Sequence, residues 1–262
     1  MVEKKFDVLG VKLHAFFLRE SVDIVLDWIA RYRNGGVSGP ARYVCVTNVN
    51  SVVEAQKDAY LKTITNSADL SVCDGMPLVW LARRKGFILP ERVYGFALMD
   101  ALLSESQKYG YRHYLYGSTS EVLEKLVVNI KSKYPGINIA GAYSPPFRDL
   151  TGQEKESIVS LVNGCQPDIV WVGLGYPKQE IWMYEFKDKI KCPVLAGVGA
   201  AFDFYSGNKK KAPLWMQNAG LEWFFRLCCE PRRLAKRYLV NNPLFIYMLA
   251  KNFLKRIFHI NS

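Results

Sequence analysis

Nothing in this 262-residue sequence offers a ready-made metal site. The three histidines, His14, His113 and His259, are scattered, no Asp-x-Asp pair occurs, and the six cysteines (Cys45, Cys73, Cys165, Cys192, Cys228 and Cys229) form no C-x-x-C motif. Neither a zinc ribbon nor a dithiol redox motif is suggested, and no metal is expected to serve the function. Most of the cysteines lie in apolar runs and read as buried, reduced thiols, which points to the cytosol. Long hydrophobic runs are missing too. No segment reaches the ~18 to 20 apolar residues that cross a bilayer, the longest candidate being PLFIYMLA at 243–250. The start MVEKKFDVLG shows no signal-peptide stretch, which again favours the cytosol.

Acidic residues are scarce at one end only. From Asn208 to Ser262 there are eleven Lys/Arg against two acidic residues, a net +9 out of +11 for the whole chain, so the other 207 residues are nearly neutral at +2. The same end is aromatic: GLEWFFRLCCEPRRLAKRYL at 220–239 interleaves Trp223, Phe224, Phe225 and Tyr238 with Arg226, Arg232, Arg233, Lys236 and Arg237. A solvated helix face explains the charges but not the aromatics. Pro231 divides the segment into two helices. Basic helices bearing Trp and Phe suit an anionic membrane surface, and guanidinium forks suit phosphate. Nucleic acid also satisfies the charge.

What precedes this tail is apolar enough for a large core. Short β-branched or aromatic runs alternate with longer helical patterns: ARYVCVTN then VNSVVEAQKDAYLKTIT, YRHYLYG then STSEVLEKLVVNIKSKY, PDIVWVGLG then YPKQEIWMYEFKDKI, and CPVLAGVG last. This predicts an α/β fold, a Rossmann-like, mostly parallel sheet flanked by helices, with a basic, aromatic, helical C-terminal appendage. Residues 1–207 form the expected catalytic domain and 208–262 the appendage. The strands are predicted to end at Asn48, Gly117, Gly173 and Gly197. Ligands of such sheets bind beyond the carboxyl ends of the strands, so Thr47, Asn48 and Gly117 join the candidate binding residues.

Asp74, in SVCDGMPLVW, follows a short apolar run and precedes a glycine, a proline and a helical pattern. Two roles fit: a helix N-cap, or a strand-end carboxylate ready to accept a proton. GLGYPK at 173–178 and GVGAAF at 197–202 each carry G-x-G but lack the third glycine of a dinucleotide fingerprint, and no acidic residue stands at the expected distance. They predict only that backbone near Gly173 and Gly175 can approach a phosphate. Lys178, Gln179 and Glu180 follow one of these turns, with Pro177 at the helix start. Asp203 sits between aromatics in AAFDFYSG, and Arg92 in LPERVYG is a candidate cation for a diphosphate.

These stretches together, VTNVNSVV, CDGMPLVW, PERVYG, YSPPF, GLGYPKQE, GVGAAFDFYSG, KAPLWM and GLEWFFRL with EPRRL and RYL, resemble the WecG/TagA/CpsF family of glycosyltransferases over roughly residues 40–240. The resemblance implies a metal-independent, inverting transfer of a sugar, of the N-acetylmannosamine type, from a UDP-sugar donor to a polyprenyl-diphosphate-linked acceptor. It places the reaction at the inner membrane face in cell-surface polysaccharide synthesis. No cofactor and no nucleic-acid partner are implied; a homo-oligomer is left open. By resemblance Asp74 is the catalytic base, and Arg92, Gln179 and Asp203 belong to the donor pocket. The tail, with Arg226, Arg232, Arg233 and Arg237, reaches the membrane and closes over the site.

Overall fold

A computed structural model of the chain describes residues 4–35 and 39–260. It opens with a hairpin of β1 (Lys5–Val8) and β2 (Val11–His14), whose turn at Leu9 and Gly10 has positive φ at both positions. The Gly10 N–H donates to the Asp7 carboxylate at 2.9 Å, an Asx-type closure of the turn. Then follow α1 (Leu18–Arg33), β3 (Arg42–Thr47), α2 (Val49–Lys57), α3 (Ala59–Asn66), β4 (Leu70–Cys73), α4 (Met76–Arg84) and α5 (Gly95–Ser106). The second half runs β5 (Arg112–Gly117), α6 (Ser120–Lys133), β6 (Asn138–Tyr143), α7 (Gly152–Gly164), β7 (Ile169–Gly173), α8 (Lys178–Phe186) and β8 (Val194–Gly197). Four helices close the chain: α9 (Ala201–Tyr205), α10 (Leu214–Asn218), α11 (Glu222–Cys229) and α12 (Pro231–Ile260).

The eight strands form one sheet in the order β1-β2-β4-β3-β8-β7-β5-β6, parallel at every pairing except the β1–β2 hairpin. The predicted α/β architecture is the observed one. Strands in the middle, such as RYVCVT and IVWVG, are apolar on both faces because helices cover both. Leu98, Leu102 and Leu126 pack on one face around Trp171, while Ile158, Met183 and Phe186 pack on the other around Tyr43 and Val170. From β3 the chain turns outward to β4, and from β7 it comes back to β8. The crevice between the carboxyl ends of β3 and β8 is therefore a switch point, where such folds bind ligands.

The helix expected after β3 is two. Asp58 ends α2 in an extended conformation and caps α3, accepting from the Tyr60 and Leu61 N–H groups. In the tail, α11 and α12 separate at Glu230 and Pro231, as the proline predicts. The tail is packed down. Phe245 joins Val52, Val53 and Leu78 in a third apolar cluster, and the buried Asn241 amide donates to Asn50 and to Glu54 of α2 at 2.8 and 2.9 Å. This docking carries the start of α12 to the switch point.

Candidate active site

Asp74 is the residue directly after β4. Its N–H donates to the Thr47 carbonyl at 2.7 Å, carrying the β3–β4 ladder one step past Cys73. Gly75 then turns the chain at φ 120°, a value that suits glycine, and is itself the N-cap of α4 without a side-chain cap. So the capping role open to Asp74 in the sequence is not taken up. Its carboxylate is free to face the crevice, where it accepts from Arg92 Nη1 at 3.1 Å. Burial pushes the carboxyl up from its ordinary value and Glu222 adds to the rise, against Arg92, Arg226 and Arg237. A carboxylate that holds a proton more readily than usual is better suited to a general base.

Two cavities meet at this carboxylate. One, of about 220 Å³, lies over the ends of β3, β7 and β8 and is walled by Gly173, Gly175, Gln179, Gly199, Asp203 and Lys209. The other, of about 520 Å³, lies between α4 and α12 and is mostly apolar, with Met76, Trp80, Leu81, Phe245, Ile246 and Leu249 in its walls. Both are lined by Asn48, Asp74, Glu222, Arg226 and Arg237. A polar chamber and an apolar one thus share a wall that holds one carboxylate with a raised affinity for protons and two arginines.

The arginines differ in what engages them. Arg92 is well partnered: it donates to Asp74, to Gln217 Oε1 at 3.0 Å and to Glu222, and its guanidinium lies 4.3 Å from the centre of the Tyr94 ring. The sequence offers Arg92 as a cation for a diphosphate, whereas the structure commits it to two carboxylates. Arg226 has no hydrogen-bond or ion-pair partner among the described residues. Arg237 makes one long contact, Nη2 to Asn48 Oδ1 at 3.4 Å, and its buried Nε has no partner. Burial, with Arg226 nearby, makes the Arg237 guanidinium hold its proton less tightly than usual. Two under-partnered guanidinium groups brought together against a buried wall form a receptor for a multiply charged anion.

The glycine turns work otherwise than expected. Gln179 Oε1 accepts from the Gly175 N–H at 3.2 Å and from the Gly199 N–H at 3.0 Å, stapling the two turns together. Those two N–H groups are thus engaged within the protein and not free for a phosphate. A Cβ on Gly173 would come within 2.4 Å of the Phe202 ring, and one on Gly197 within 2.7 Å of Met183, so close packing accounts for both glycines. Gln179 Nε2 in turn donates to Glu180 Oε1 at 3.0 Å. Asp203 lines the polar chamber and is ion-paired to Lys209, which stands 3.5 Å from Glu230; Glu230 also holds Arg233 at 2.6 and 2.8 Å.

Five sequence candidates lie off the cavity walls. Thr47 is buried with its hydroxyl 2.8 Å from that of Ser71, and it touches the site only through its carbonyl on Asp74. Gly117, at φ 120°, lets β5 lie against the Gly173 backbone. Lys178 and Arg232 are exposed, and Glu180 is buried behind Gln179. The sequence missed Glu222, Gln217, Lys209 and Tyr94. Glu222 is one of only two acids in a strongly basic tail, which was the available signal. Among the described residues no three His, Cys, Asp or Glu side chains converge on a point that would hold a metal ion.

Comparison with known proteins adds a family. The model of the glycosyl transferase WecG/TagA/CpsF family matches residues 6–258. A protein of Bacillus subtilis (strain 168) named N-acetylglucosaminyldiphosphoundecaprenol N-acetyl-beta-D-mannosaminyltransferase is 33% identical over 190 residues, 72% of this chain and 72% of its own. Proteins of the same name from Bacillus spizizenii and Staphylococcus aureus (strain NCTC 8325) are 28% and 29% identical. They span 80% and 94% of this chain, and 79% and 92% of theirs.

Proposed function

This chain belongs to the WecG/TagA/CpsF family and is a glycosyltransferase, and from that premise we propose that it moves N-acetylmannosamine from a UDP-sugar onto N-acetylglucosamine carried by a polyprenyl diphosphate. The observation that carries the reading is the wall shared by the two chambers. The polar chamber takes the nucleotide-sugar and the apolar one the lipid-linked acceptor, so the reacting atoms meet beside Asp74. The names of the relatives support the acceptor and the sugar; the chemistries of the two linings support their division.

In the proposed displacement the acceptor hydroxyl attacks the anomeric carbon from the face opposite UDP, inverting it. Asp74 takes the hydroxyl proton, the new C–O bond forms, and the bond to the diphosphate breaks with its electron pair leaving on UDP. Arg226 and Arg237 receive the charge that develops there, which preorganised donors do most effectively in a site shielded from water. Their two positive charges support a reaction without a divalent metal. Arg92, held between Asp74 and Glu222, keeps the base in position. Residues 1–207 supply the base and most of the donor chamber's wall, and residues 208–262 supply Lys209, the arginines and the contact with an anionic membrane. No described helix is long and apolar enough to cross a membrane, and the proposed seat is peripheral, on the inner face.

The test is to offer a panel of UDP-sugars with a short polyprenyl-diphosphate N-acetylglucosamine and to follow UDP release and product mass. UDP-N-acetylmannosamine should be consumed and the acceptor should gain one sugar. No release with any donor would overturn the reading, and release only with another sugar would overturn the choice of sugar.

A further inference from the structure

Averaging the charge of the first 207 residues hides a local cluster. Arg83, Arg84 and Lys85 end α4 as three successive cations, and all three are exposed. The turn that follows, GFILP, is anchored on both sides of Ile88. Phe87 packs 5.6 Å from the Phe6 ring, Leu89 is buried, and the Arg83 guanidinium donates to the carbonyls of Leu89 and Pro90. Between these anchors Ile88 is 89% exposed, the most exposed of the large apolar side chains in the described chain. A lone exposed isoleucine is ordinary; one fixed between two inward-facing neighbours and preceded by three cations is a different object.

Its position is what gives it meaning. Arg84 is in the wall of the apolar chamber and lies 5.8 Å from the ring centre of Phe253 on α12. Trp80 and Ile246, on the two helices that flank the chamber, are 50% and 67% exposed while lining it, so they mark its mouth. A cation and an apolar ring thus meet beside that opening, Arg84 from the α/β body and Phe253 from α12, and Lys85 and Ile88 follow Arg84 closely in the chain.

We infer that the turn Lys85–Pro90 is a second membrane-inserting element, separate from the basic tail, with Ile88 in the acyl boundary and Arg84 and Lys85 on anionic headgroups. This rests on the peripheral-membrane reading above and deepens it. The mouth of the acceptor chamber then faces the bilayer between two anchors, and a polyprenyl chain enters without crossing water.

The experiment is flotation of the full chain with vesicles of phosphatidylcholine alone or with phosphatidylglycerol. Ile88→Glu should bind on the order of tenfold more weakly to the anionic vesicles, as expected for one large apolar side chain lost from the interface, while Ile88→Leu should match the wild type. Lys85→Ala should weaken binding about fivefold on anionic vesicles and leave it unchanged on zwitterionic ones. Transfer to a water-soluble short-chain acceptor should be unaltered in Ile88→Glu, since Ile88 lines neither chamber. A wild type that floats together with an Ile88→Glu that floats equally well overturns the inserting turn alone. A loss of transfer to the water-soluble acceptor in Ile88→Glu also overturns it, by making the turn structural. A wild type that does not float at all overturns the membrane reading itself.

Discussion

Glu180 makes the fold sensitive to pH in a way that can be worked out in advance. It sits in the first turn of α8, is 3% exposed, accepts one hydrogen bond from Gln179 and has no partner for Oε2. Burial pushes its carboxyl from 4.5 up to about 7. The folded state thus holds this proton more tightly than the unfolded chain does. Below pH 4.5 both states are protonated and there is no penalty; as pH rises towards 7 the unfolded state gains by ionising first, and stability falls. At about 1.4 kcal/mol per unit the loss above pH 7 is roughly 3 kcal/mol. Glu180→Gln keeps an acceptor for Gln179 and has no proton to lose. Thermal unfolding of wild type and variant from pH 4.5 to 8 should therefore give a difference that drifts in favour of the variant by several °C as pH rises, at about 2 to 4 °C per kcal/mol. Parallel curves across that range would refute the reasoning.

Removing either under-partnered guanidinium, by Arg226→Ala or Arg237→Ala, should slow transfer roughly 10²-fold in steady-state assays, the loss typical of a transition-state donor. Arg232→Ala, whose side chain lies outside both chambers, should stay within about twofold of wild type on a water-soluble acceptor; equal losses at all three positions would contradict the division made here. The rate should fall on the acid side as Asp74 takes up its proton, with a midpoint in kcat/KM above the 3.8 of an ordinary aspartate; an unchanged rate down to that pH would contradict the base. Chelation by EDTA should leave transfer unaltered, and loss of activity restored by Mg²⁺ or Mn²⁺ would show that the arginines do not suffice for the leaving group.

The alternation of apolar runs and helical patterns made the parallel sheet legible, and with it the strand ends near Asn48, Gly117, Gly173 and Gly197. The antiparallel hairpin β1–β2 passed unnoticed because each strand has only four residues and its turn is Leu-Gly in place of Asn-Gly. Asp74 stood out, but its role depended on the backbone of Gly75, which decides whether the carboxylate turns to the helix or to the crevice. The glycines misled: their pattern resembles a phosphate loop, while their purpose is to admit Phe202 and Met183 and to let Gln179 bind two turns. Glu222 and Arg92 are 130 positions apart, and no local pattern reveals an ion pair at that separation. Tail arginines were legible as a group by charge alone; only the fold distinguishes Arg226 and Arg237, at the shared wall, from Arg232 outside it.

The central claim is that Asp74 takes the proton of the acceptor hydroxyl where the two chambers meet. Asp74→Asn leaves an oxygen to accept from Arg92 and removes the base. Single-turnover transfer from UDP-N-acetylmannosamine to a polyprenyl-diphosphate N-acetylglucosamine should therefore slow by about 10² to 10⁴, with the melting temperature and UDP binding close to wild type. A folded Asp74→Asn protein that transfers at nearly the wild-type rate would contradict the account.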